Sequence, residues 1–170
     1  MKTIITLVTI LLIILVGVPR VHSDEEQEVF SIYISQQQSR TNNIPLSELK
    51  LSNQAFLTYA DIVEYRWNTH ELVLTNKGSQ RYKQFVRTKT ITDQGFVVVA
   101  DGIRCYYGGF WLMIWSIIPP YPVIFVDTPK NIIAIQRVAP FTKGEDLRED
   151  KRIYKALKRI RKLKEVEEKK

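Results

Sequence analysis

Phe96-Val97-Val98-Val99-Ala100-Asp101-Gly102-Ile103-Arg104-Cys105-Tyr106-Tyr107 is the stretch on which the reading of the fold turns. Asp-Gly supplies the two positive-φ positions of a type I′ turn, and β-branched and aromatic residues flank it on both sides. The stretch predicts an antiparallel hairpin, and Gly108-Gly109 predict the end of its second strand or a bulge in it. A second hairpin is expected downstream, where Val123–Val126 and Ile132–Val138 flank a turn containing Pro129 and Asn131. Upstream, Phe30, Ile32 and Ile34 alternate with Ser31, Tyr33 and Ser35, the period of two that marks a half-buried strand. Gln36–Pro45 is polar and reads as a loop, and Leu49-Lys50-Leu51 as a short strand.

Helical signals are fewer. Thr58, three residues ahead of Asp61, predicts a cap for a single turn carrying Ile62 and Tyr65. His70–Leu74 reads as a strand entering Thr75, which predicts the N-cap of a helix over Lys77–Val86 with Tyr82, Phe85 and Val86 on its apolar stripe. Phe110–Ile118 is almost wholly apolar, with Trp111 and Trp115 four apart, and Pro119-Pro120-Tyr121-Pro122 stops it. A buried helical turn or two is the expectation there, with a membrane-dipping or partner-binding patch as the alternative. Lys151–Lys164 holds eight basic residues and no acids, and Ile153, Leu157 and Ile160 recur at helical spacing. Asp146, Glu149 and Asp150 precede it, where a helix dipole favours acids. The fold class that follows is α+β: a small, mainly antiparallel sheet built from hairpins, with one central helix and a basic C-terminal helix.

Net charge is +7 overall but unevenly placed. Residues 24–150 carry 13 Lys and Arg against 15 Asp and Glu, whereas residues 151–170 carry ten against three. Met1-Lys2, the uncharged run Ile4–Val18, Pro19 and Val21-His22-Ser23 form the pattern of a secretory signal peptide, with cleavage expected after Ser23. The apolar run is shorter than the ~20 residues that span a bilayer comfortably, so a retained N-terminal anchor is the alternative. Three segments result: 1–23 as signal or anchor, 24–150 as one α+β domain, and 151–170 as a basic helix with a fraying tail. One cysteine, Cys105, excludes an intramolecular disulfide and reads as a buried hydrophobe.

Two resemblances rest on particular residues. Asp61-Ile62-Val63-Glu64-Tyr65-Arg66-Trp67-Asn68-Thr69-His70-Glu71-Leu72-Val73-Leu74-Thr75 resembles a motif of small exported bacterial proteins of unassigned function. Gly95–Gly109, with the ending Tyr107-Gly108-Gly109-Phe110-Trp111, and the acidic-then-basic stretch Gly144–Lys164 are similar to further parts of those proteins. That resemblance implies an exported protein and no particular activity. A shorter one, from about His70 to Gly109, links a strand ending in Leu74-Thr75, a helix with Gly78 and Phe85, and Val97-Val98-Val99-Ala100-Asp101-Gly102 to the periplasmic head subdomain of SecD. It implies a βαββ-type module outside the cytoplasm that contacts polypeptides. The chain lacks the membrane spans and the rest of SecD, so a translocation role does not carry over.

Catalytic patterns are scarce. His70 is the one histidine after residue 23, and no nucleophile elbow surrounds any serine. There is no Walker or dinucleotide glycine pattern and no calcium-loop ladder, and a transition-metal site would have to be built mostly from carboxylates. No metal and no cofactor is expected. Nucleic acid is discounted as a partner, because Tyr154 is the one aromatic interleaved with the basic helix and a signal peptide removes the chain from most nucleic acid. The leading expectation is a non-enzymatic, exported binding module, periplasmic, cell-surface or secreted, whose C-terminal helix meets an anionic envelope partner, an acidic protein or a membrane surface. Arg159, Arg161, Lys162 and Lys164 are its candidate contacts, with Trp111 and Trp115 as apolar anchors. On that reading, removing residues 151–170 leaves a folded body. The runner-up is a small secreted hydrolase using His70 with Asp61 or Glu64. A third reading, a membrane-anchored accessory subunit of an envelope complex, follows if residues 1–23 are retained.

Overall fold

The computed structural model describes residues 29–38, 44–88, 94–116, 118–126, 131–138 and 145–165. Along them run β1 (Phe30–Gln38), β2 (Leu57–Thr58), β3 (Ile62–Arg66), β4 (Glu71–Leu74), α1 (Asn76–Thr88), β5 (Gln94–Ala100), β6 (Ile103–Trp111), β7 (Val123–Phe125), β8 (Ile132–Gln136), α2 (Lys151–Arg159) and β9 (Leu163–Lys164). Tyr59–Asp61 and Leu147–Glu149 form single 3-10 turns. The expected signal segment with its cleavage point, the Pro129 turn and most of the tail lie outside the described residues.

β5 and β6 pair across Asp101-Gly102, with Ala100 opposite Ile103. Asp101 (φ 50°) and Gly102 (φ 72°) both take the left-handed conformation that a two-residue hairpin turn needs. Val98 and Phe96 enter the main core, while Val97 and Val99 pack with Leu49 in a smaller cluster on the other face. Cover on both faces explains the unbroken Val-Val-Val run. The glycine pair does not end the strand: β6 runs through it to Trp111. A Cβ on Gly108 would overlap the Phe96 ring and the Pro122 carbonyl, so the glycine admits close neighbours inside the sheet.

All nine strands join one sheet in the order β2-β1-β5-β6-β7-β8-β4-β3-β9. β6–β7 and β3–β9 pair parallel, and the other neighbours pair antiparallel. The architecture is thus α+β with a mainly antiparallel sheet. The strand–helix–strand–strand order expected from about His70 to Gly109 is present, yet β6, β7 and β8 separate β4 from β5 in the sheet. β2 lies at one end of the order and β3 next to the other, and only Tyr59–Asp61 separate them in sequence. The four steps from Thr58 to Ile62 reach about 14 Å at most, so the sheet must curl until its ends approach each other. Phe30 of β1 and Tyr65 of β3 accordingly stack edge to face, with ring centroids 6.0 Å apart. α1 packs on β2 and β4, and α2 on β1, β5 and β9, so each helix spans the gap between the ends.

Four local expectations need correction. Ile62 and Tyr65 lie on strand β3 rather than on a helical turn, because the cap at Thr58 and Asp61 closes only the 3-10 turn before them. Phe110-Trp111 complete β6, and Leu112–Trp115 make a turn, not a helix, since Phe110 and Trp111 pair with Ile124 and Phe125. The strand expected at Leu49–Leu51 reduces to one bridge, Ser35 to Leu51. The C-terminal helix stops at Arg159 rather than continuing to Lys164. Arg161 (φ 58°) donates its N–H to the Lys158 carbonyl, and Lys162 to that of Leu157, a Schellman ending built without the usual glycine. Leu163-Lys164 then pair with β3 as β9. α1, by contrast, starts where expected, with the Gly78 amide donating to Thr75 Oγ1 at 3.1 Å.

Ile153, Ala156 and Leu157 of α2 are fully buried in the main core, so the helix is part of the body and not an appendage. Leu157→Ala is expected to cost about 2–5 kcal/mol in urea denaturation. Removal of residues 151–170, which also uncovers the sheet, should abolish the cooperative transition. A truncated chain that melts like the intact one would show α2 to be dispensable.

Candidate functional site

The structure sends the runner-up triad in different directions. Asp61 is buried at the start of β3, where Oδ2 accepts from the Thr58 amide at 3.0 Å and from Arg81 at 2.6 Å. Glu64 accepts from Arg66 at 2.8 Å and lies 3.4 Å from the Lys164 ammonium. The hydrogen bond from Arg66 holds its pKa below the usual carboxylate value. His70 follows the turn beyond Arg66, at the other end of β3 from Asp61, on the order of 15 Å away along the strand. Neither acid hydrogen-bonds the imidazole.

What surrounds His70 was not readable from its sequence neighbours. Residues 67–70 form the turn between Arg66 and Glu71, and His70 closes it with φ 50°, a left-handed conformation that costs a non-glycine residue about 1–2 kcal/mol. The ring is only 4 % exposed. Its Nδ1 lies 3.0 Å from the buried Tyr65 hydroxyl, and Trp67 meets it edge to face at 5.6 Å. Trp67 in turn meets Tyr154 of α2 at 5.1 Å. From the segment before α2 come Asp146 and Glu149, whose carboxylate oxygens and one His70 ring nitrogen all lie within 4.8 Å of one another. Arg148 clamps Asp146 through Nε and Nη2 at 2.5–3.2 Å and donates to the Ile135 carbonyl at 2.9 Å.

Burial, and then the nearby Arg148 cation, push the His70 pKa down to about 4. The imidazole is therefore neutral at neutral pH and far less basic than a general base working there should be. Burial pushes Tyr65 and Tyr106 well up, so both phenols stay protonated. The Arg148 hydrogen bond holds Asp146 ionised. Burial also lifts Cys105 to about 11, which keeps it a thiol, in keeping with its buried place on β6. No family model, curated protein or solved structure matches this chain.

The expected contact residues are also dispersed. Arg159 pairs with Asp101, Lys162 donates to the Ile62 carbonyl, and Lys164 pairs with Glu64, so three of the four cations already have internal acceptors. Arg161 is exposed on the Schellman turn. Trp111 is buried and holds Trp115 edge to face at 4.6 Å. Within this apolar run, Met113, Ile114 and Ile118 face outward, exposed by 71, 83 and 63 %. The uncharged run was visible in the sequence, but which of its side chains point out depends on the close of β6 at Trp111.

Two tests follow. Asp61→Ala removes a cap and a partly buried ion pair together and should cost about 2–4 kcal/mol in chemical denaturation. Tyr65→Phe strips His70 Nδ1 of its partner and should cost about 1–3 kcal/mol, whereas Tyr106→Phe removes a buried hydroxyl with no partner among the described residues and should raise stability by about 1 kcal/mol. Equal effects of the two tyrosine variants would contradict this assignment.

Proposed function

We propose that the protein is a non-enzymatic, extracytoplasmic interaction module that meets an anionic partner through the outer face of α2. The observation carrying the reading is the division of that helix. Ile153, Ala156 and Leu157 are locked into the core, while Lys151, Arg152, Lys155, Lys158 and Arg159 face solvent. A docked helix presents its charges on a rigid base, so little ordering opposes binding. Arg152 and Arg159 are partly neutralised by Asp150 and Asp101. The side chains of Lys151, Lys155 and Arg161 have no hydrogen-bond or ion-pair partner among the described residues, and they carry the field outward. This shifts the contact from Arg159, Lys162 and Lys164 to the helix's exposed lysines.

The exported address rests on the sequence pattern of residues 1–23. No described helix is long and apolar enough to cross a membrane. The exposed apolar side chains of Met113, Ile114 and Ile118 supply a second contact. They follow Trp111, about 26 Å along β6 from the Asp101 turn that holds Arg159, so the two surfaces engage separately.

Lys151→Gln, Lys155→Gln and Arg161→Gln combined should leave the denaturation midpoint unchanged and weaken binding to vesicles rich in phosphatidylglycerol about 100-fold, from about 1 kcal/mol per cation near an anionic surface. Wild-type binding should fall steeply with added salt. Binding by the triple variant equal to wild type, at any salt, would refute the role of this face.

A further inference from the structure

We propose that His70, Asp146 and Glu149 form a binding site for a divalent cation of the zinc or manganese class. Three donors converge from two distant parts of the chain: an imidazole nitrogen from the β3–β4 turn and two carboxylates flanking Arg148. One nitrogen and two oxygens make a donor set of borderline hardness, suited to Zn²⁺ and Mn²⁺ and poorly suited to Mg²⁺, which prefers oxygen and retained water. A cation held at about 2.0–2.2 Å by three such donors would draw them to about 3.3 Å apart. From separations within 4.8 Å that requires a modest movement, and Glu149, exposed and without a side-chain partner among the described residues, is free to make it.

Two independent observations point to a ligand at this place. His70 is more than nine-tenths buried, yet only Nδ1 has a hydrogen-bond partner, and Nε2 has none among the described residues. The Nε2 atom keeps some solvent access, which leaves it open to a ligand. Secondly, the ligands are already supported from behind. Tyr65 fixes one imidazole nitrogen, and Arg148 holds Asp146 while anchored to the Ile135 carbonyl. Partners of this kind orient first ligands in metal sites. Arg148 engages Asp146 through its main-chain amide, Nε and Nη2, so a cation at this carboxylate would take the place of one of those bonds. Two carboxylates, Asp146 and Glu149, face the place of the cation beside the single guanidinium of Arg148.

The consequence is mechanical. A bound ion would couple the β3–β4 turn to the segment that caps α2, where Asp150 accepts from the Arg152 amide at 2.8 Å. The helix carrying the exposed lysines would then be fastened at its N-terminus by metal as well as by its apolar face.

The test uses the purified chain stripped with EDTA and titrated with ZnCl₂, MnCl₂ or MgCl₂. Zn²⁺ should bind one to one by calorimetry, shift the His70 ring resonances in NMR spectra and raise Tm by about 5 °C. Mg²⁺ should do none of these. Glu149→Gln, an exposed change that leaves the fold intact, should weaken Zn²⁺ binding at least tenfold, and Asp146→Asn should weaken it further. The proposal is overturned if neither Zn²⁺ nor Mn²⁺ saturates one to one, if the His70 resonances do not respond, or if Glu149→Gln binds as tightly as wild type.

Discussion

The carboxylate of Asp61 accepts from the Thr58 amide and hydroxyl and from Arg81, while its main-chain oxygen accepts from the Thr75 amide and hydroxyl, so a single residue ties β2, β3, the end of β4 and α1 at one point. Thr75 at the same time caps α1. Gly78 completes the junction, because any side chain there would run into the Asp61 carbonyl. An open nine-stranded sheet would leave two edges and two faces to cover. Joining β2 to β3 through three residues curls the sheet instead, so that its apolar face surrounds one core and the two helices need only close the gap. The edge strands β2 and β9 are two residues each, which leaves little unpaired backbone to attract another chain.

This constraint separates what the sequence discloses from what it conceals. The Asp101-Gly102 hairpin, the β7–β8 hairpin, the alternation of β1 and the Thr75 cap are local: turn chemistry or a period of two decides each. Parallel pairing of β6 with β7 and of β3 with β9 has no local signature, since the partners are chosen by closure of the sheet. The end of α2 was hidden for a related reason. Arg161 takes the left-handed position usually given to glycine, and the basic periodicity runs on past it. Phe110–Ile118 misleads in the same way: a short apolar run suits a buried strand or a helix equally, and only the neighbour β7 decides.

The candidate site shows the same division. His70 stood out because it is the one histidine after residue 23, but its chemistry is set by Tyr65, Asp146, Arg148 and Glu149, three of which arrive from far along the chain. The acids before α2 were legible as helix-dipole partners, and Asp150 does serve as the N-cap. Asp146 and Glu149 sit one 3-10 turn earlier, which carries them past the cap and against the β3–β4 turn. Charge segregation in the last segment was plain from composition. That Arg159, Lys162 and Lys164 would be absorbed by Asp101, the Ile62 carbonyl and Glu64 was not, because each partner belongs to a strand or turn distant in sequence.

Placement along β6 limits how partners can be arranged. The described chain enters at Val29, whose carbonyl accepts from the Asp101 amide at 3.2 Å, and Arg159 meets the same aspartate. The N-terminal entry and the last turn of α2 therefore share one end of the β5–β6 hairpin. The loop bearing Met113, Ile114 and Ile118 leaves from the far end of β6. The edge-to-face contact of Trp111 with Trp115 holds it there. The two ends of β6 are chemically unlike: one carries the Arg159–Asp101 ion pair and the other the exposed apolar side chains of Met113, Ile114 and Ile118.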